Sequence, residues 1–162
     1  MTASWWALRV LVVGVIAAVS LAGTGCGSII DRAAAPDVET STSPELVQEA
    51  LEFGGWVIPA GGKILLVERR IVRNRKYLIA LQTSPSDLDW MLEKSGFEAS
   101  FEKAYPPFLA ETIAGPDLMS SPNVRSARDT LVSSPGKGTI RQVAVDDRSQ
   151  DIRIVHLEFR RV

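Results

Sequence analysis

Cysteine and histidine are nearly absent from this chain: its 162 residues include one of each, Cys26 and His156. A single cysteine excludes an internal disulfide, so any core must hold by packing alone. A single histidine excludes a metal site built on a histidine pair, and no cofactor motif takes its place. Neither sign of charge is in excess, with 18 Lys and Arg against 19 Asp and Glu. All of the acids, and every base except Arg9, follow Cys26. That region is slightly acidic and has no field to gather nucleic acid. Signatures of covalent catalysis are missing too. There is no G-x-S-x-G elbow, and the S-x-x-K match Ser100-Phe101-Glu102-Lys103 has no S-D-N companion, while Lys137-Gly138-Thr139 is not K-T-G.

What is present begins at the N-terminus. Residues 10–22 form a charge-free run of thirteen, preceded by Arg9 and followed by Gly23, Thr24 and Gly25. That is the n-, h- and c-region order of a secretory signal, and the run is shorter than the roughly 20 residues a membrane-spanning helix needs. Trp5, Trp6 and Leu8 extend the apolar stretch backwards. A retained anchor over residues 5–22, with Arg9 snorkelling to the headgroups, is therefore an alternative.

Gly23-Thr24-Gly25-Cys26, followed by Gly27-Ser28, resembles the lipobox of bacterial lipoprotein precursors: an aliphatic residue, two small ones, and the cysteine that becomes the mature N-terminus. Three positions fit, and Gly23 stands where Leu is usual. The resemblance is confined to about the first 28 residues. It implies that Cys26 is joined to diacylglycerol and that the chain sits on the extracytoplasmic side of a cell membrane, held by two acyl chains where one would be marginal. Cleavage after Ala22, directed by the small residues Ser20 and Ala22, would instead release a secreted product. High Ala, Val and Arg usage with few lysines makes the whole chain similar to small lipoproteins of actinobacteria, a likeness of pattern that carries no mechanism.

These signals divide the chain into a signal peptide (1–25), a lipidated cysteine with a flexible tether (26–43), and a single α+β domain (44–162). Residues 27–43 lack periodicity and end in a Ser/Thr run. A first helix opens at Ser43-Pro44, a capping hydroxyl followed by proline, and stops at Gly54-Gly55. Residues 63–72 and 77–83 form a hairpin rich in Ile, Leu and Val. A second helix runs from the Ser84 cap, with Pro85 in its first turn and Asp87 at the capping-box position, to Gly96, where Phe97 is placed for a Schellman contact. Residues 98–122 are irregular, residues 123–132 fit a short helix through Val124, Ala127 and Leu131, and residues 139–146 and 152–161 form a second hairpin. The expected fold is an antiparallel sheet of two hairpins with two or three helices packed on one face.

Two surface features are candidate contacts with a membrane or a protein partner in the cell envelope. Arg69, Arg70, Arg73, Arg75 and Lys76 cluster at the first hairpin tip, suited to anionic headgroups or simply to a solvated turn. Tyr105-Pro106-Pro107-Phe108 presents rigid aromatics, Tyr105 and Phe108, to a partner or folds over its own core. Trp56 and Trp90 read as core residues. His156 shares a strand face with Ile152 and Ile154 and reads as a half-buried histidine holding a hydrogen bond; a general base or pH switch is the alternative. Asp147, Ser149, Asp151 and Glu158 imitate EF-hand spacing, but Ile152 occupies the place of the turn glycine; weak Ca²⁺ binding by Asp146, Asp147 and Asp151 stays open. The function that fits best is a membrane-tethered, non-enzymatic accessory or binding domain of the envelope. An envelope hydrolase using His156 and a serine, and an inhibitor or immunity-type protein, are the alternatives.

Overall fold

The computed structural model describes residues 36–105, 110–134 and 136–162. All of them belong to the compact unit Ala34–Val162. The signal, the lipobox with Cys26, the first part of the expected tether and residues 106–109, Phe108 included, lie outside the described residues.

Both helix starts form as their punctuation requires. Helix α1 (Pro44–Gly54) is capped by Ser43, whose hydroxyl accepts the Leu46 amide, and it ends at Gly55, a left-handed residue with φ 64°. Helix α2 (Pro85–Lys94) is capped by Ser84, which accepts the Asp87 amide at 3.1 Å. It closes in the Schellman pattern, with the Phe97 amide donating to the Leu92 carbonyl and Gly96 at φ 56°.

Seven strands form one antiparallel sheet among the described residues. They are β1 (Asp37–Ser41), β2 (Lys63–Ile71), β3 (Arg75–Thr83), β4 (Glu102–Lys103), β5 (Val124–Ser134), β6 (Lys137–Asp146) and β7 (Arg153–Arg161), in the spatial order β1-β2-β3-β7-β6-β5-β4. The expected α+β class and both expected hairpins are present, but the sheet is larger than two hairpins. β1 falls in the stretch expected as tether; nothing local marks its polar sequence DVETS as a strand, and pairing along β2 makes it one. Of residues 123–132, expected as a short helix, all but Asn123 lie in β5, which pairs with β6 along nearly its whole length. The spacing of Val124, Ala127 and Leu131 suits a helix as well as a strand, and the β6 ladder decides between them.

Strand alternation sorts the side chains into two layers. On one face Tyr77, Ile79, Leu81, Val143, Val145, Val155, Leu157 and Phe159 meet Leu46 and Ala50 of α1 and Leu88 and Met91 of α2. The opposite face is covered by the irregular segment after β4, whose Ala110 and Leu118 are buried with Val124 and Ala144. Gly115 of this strap lies so close to the sheet that a Cβ there would stand 3.3 Å from Ile154. A short 3-10 turn, Leu118–Ser120, fixes its far end.

Candidate functional site

Alternation also divides the basic cluster at the β2–β3 tip. Arg69 and Arg75 fall on the helix face, where both reach Glu49 of α1 at 3.1 Å. The Tyr77 hydroxyl donates to the same carboxylate at 2.5 Å. That phenol hydrogen bond, ahead of the two arginines, holds the Glu49 carboxyl below its ordinary range. Burial, helped by the same bond, pushes the Tyr77 phenol up to about 12. Arg69 also pairs with Glu39 of β1. These two arginines staple α1 and β1 to the sheet and do not form part of an open surface.

Arg70 and Lys76 fall on the strap face, and the register aligns them. Arg70 lies directly opposite Lys76, and Lys76 lies directly opposite Arg160. Three cations therefore stand side by side on adjacent strands, an arrangement that is destabilising unless it is compensated. Arg70 is compensated, with Glu68 beside it and Glu111 of the strap bound in a fork at 2.6 and 2.7 Å. This fork is the main reason that the Glu111 carboxyl is lowered and the Arg70 guanidinium raised. Lys76 pairs with Glu158 at 2.9 Å. Arg160 and Arg73 have no carboxylate within ion-pair distance among the described residues. Together with Val72 and Asn74, these four cations line a groove of about 370 Å³. Arg70, Arg73 and Lys76 are legible in the sequence as one basic run; Arg160 is not, because 84 positions separate it from Lys76 and only the β3–β7 ladder joins them.

The other candidates are dispersed. Tyr105 is exposed, with the Lys103 ammonium 5.9 Å from its ring centre; the strap residues that close over the sheet are Ala110 and Leu118 instead. Trp56 is in the core as expected, but Trp90 is 41% exposed, on the outer side of α2. Asp146 accepts from Ser121 at 2.5 Å and from Arg148 at 2.6 Å. Asp147 is held by Arg125 and Arg153. With both carboxylates engaged by arginines, the calcium reading loses its ligands, and no acidic or histidine cluster suited to a metal occurs among the described residues. Lys103 lies in β4 and Ser100 precedes that strand, so no helical turn aligns the two.

His156 departs furthest from expectation. It is 1% exposed, not half-buried, and neither ring nitrogen has a hydrogen-bond partner among the described residues. Its cross-strand neighbours are Ala80 and Ala144, small residues that leave room for the ring beneath the strap. Burial, opposed only by the Asp146 carboxylate, lowers its pKa to about 4. Hydrolysis through His156 would require a serine within hydrogen-bond reach in an open pocket; the ring meets neither condition, and Ser121 gives its proton to Asp146.

Arg141 is a second residue that the sequence does not mark as special. It is 1% exposed and stacked over Trp56 and Phe97, at 4.9 and 5.3 Å from the ring centres. It donates to the Ser95 and Gly96 carbonyls at the end of α2 and forms a fork with Asp129. Its position in alternation with Val143 and Val145 was the available signal. Compared with protein-family models, with curated proteins and with solved structures, the chain matches none.

Proposed function

We propose that this chain is a membrane-tethered extracytoplasmic lipoprotein whose folded unit is a non-enzymatic accessory or binding domain with an anionic ligand. The supporting observation is the row Arg70–Lys76–Arg160, in which two cations have carboxylate partners and the third has none among the described residues. Aligned like charges raise the energy of a sheet. An anion seated against Arg160 and Arg73 relieves that repulsion, and the groove they line opens to solvent at the hairpin tip.

Two results test the two halves of this reading. Intact mass of the chain purified from membranes is expected to include a diacylglyceryl group that Cys26→Ser lacks, with the variant lost from the membrane fraction. A cytosolic wild-type product retaining Met1 would end the tethering half. For the binding half, Arg160→Gln is expected to raise stability at low salt by about 0.2–1 kcal/mol, the range of a cross-strand charge pair. Urea midpoints measure this, and a variant less stable than wild type would remove the repulsion on which the reading rests.

A further inference from the structure

The entry of the chain and the cationic groove share one end of the sheet. Residues 27–36, the ten between Cys26 and β1, lead into the fold at Asp37, and Asp37 is paired with Ile71, the last residue before the β2–β3 tip. The chain from the proposed anchor therefore joins the sheet at the end that carries the cationic groove. Even fully stretched, ten residues span about 33–36 Å, so an anchor at Cys26 keeps this end near the headgroups.

The same end collects features from strands far apart in sequence. Arg161 pairs with Thr139, and Leu131 pairs with Thr139 from the other side. This register brings the β5–β6 turn and the end of β7 level with the β2–β3 tip. Val72, Val132 and Val162 all project there, at 66%, 71% and 77% exposure, the highest values for large hydrophobic residues among those described. Beside them Arg73, Arg160 and Lys137 have no ion-pair partner among the described residues. Asp37 and Glu39 are the acids on the β1 side, and Glu39 is taken up by Arg69. At the far end of the sheet the arginines are paired instead, Arg148 with Asp146 and both Arg125 and Arg153 with Asp147. Exposed apolar side chains among unpaired cations are the chemistry that suits shallow insertion at an anionic bilayer surface.

We infer that the β2–β3 tip, the β5–β6 turn and the end of β7 together dock on an anionic phospholipid surface, with a headgroup phosphate in the groove between Arg73 and Arg160. The inference rests on the tethered reading and names the ligand of the same groove. Docking fixes the domain's orientation on the bilayer and leaves the far end of the sheet and the strap facing outward.

The test uses the full lipidated chain in vesicles of phosphatidylcholine, with and without phosphatidylglycerol. In this chain the Cys26 sulfur is alkylated, so a fluorophore on Asn74→Cys reports the tip, and one on Gln150→Cys reports the far end. Expected is a blue-shifted, water-shielded Asn74→Cys signal with phosphatidylglycerol only, reversed by high salt, and no change at Gln150→Cys. Removing Arg73 and Arg160 together as alanines should lower the docked-to-free ratio roughly 30-fold, about fivefold for each arginine. Lys63→Ala with Lys103→Ala, an equal charge loss at the far end, should leave it unchanged. A tip that stays wet on an anchored chain overturns docking and leaves the anchor intact. Shielding that ignores phosphatidylglycerol or the two arginines also overturns it, as does inorganic phosphate at vesicle-phosphate concentration displacing the tip, which makes the groove a site for a soluble anion. A product without the diacylglyceryl mass overturns the tethered reading and docking with it.

Discussion

Arg141→Met is expected to destabilise the fold by about 3–5 kcal/mol, the cost of leaving one partner of a buried ion pair uncompensated. Three losses coincide. Asp129 loses both hydrogen bonds from the guanidinium, the Ser95 and Gly96 carbonyls lose their donors, and the cation packed over the Trp56 and Phe97 rings is gone. Methionine fills much of the volume, so the loss reports electrostatics and hydrogen bonding more than a cavity. Whole domains are stable by only about 5–15 kcal/mol, and the variant is expected to lie close to the edge of folding. Urea unfolding measures the difference. Arg141→Met combined with Asp129→Leu should recover part of the loss, because replacing both members of a pair leaves no orphaned charge. A single variant within 1 kcal/mol of wild type would show that the α2 terminus holds to the sheet without this side chain.

The second large effect is a loss of stability in acid that originates in His156. Its folded pKa of about 4 lies below the ordinary 6.5, so between these values the unfolded chain binds a proton that the folded chain refuses. Stability from this group is complete above pH 6.5, falls as the pH drops towards 4, and levels off below that. The full difference amounts to about 3 kcal/mol. His156→Leu removes the titration, and the stability of the variant should be nearly flat over that window while wild type declines. Glu49 and Glu111 have lowered pKa values, so their contributions are lost only at more acid pH, below the ordinary carboxylate value of 4.5. Equal slopes for wild type and His156→Leu across the window would assign the acid sensitivity elsewhere.

The two largest effects both arise at residues whose roles sequence reading missed or misjudged. Arg141 is not legible because a charge reads as surface, and its partners, Asp129 and residues 95–96, lie on other elements. Alternation gives the strand face of His156, but its burial depends on the strap, whose path no periodicity records. The basic cluster was visible as a run of arginines. Its division, with Arg69 and Arg75 bound to Glu49 and Arg70 and Lys76 aligned with Arg160, follows from alternation combined with a pairing of β3 to β7.

Local chemistry by itself determined where helices start and stop and where two hairpins turn. Ser43, Ser84, Gly55 and Gly96 satisfy or relax backbone groups a few residues away and need no distant partner. Tertiary structure alone decided that DVETS is an edge strand, that residues 124–134 are β and not helix, and that one sheet end gathers Asp37, Arg73, Lys137 and Arg160. Those outcomes depend on backbone partners contributed by remote segments. A strand has no hydrogen bonds of its own to complete, so its identity is settled only when its neighbour arrives.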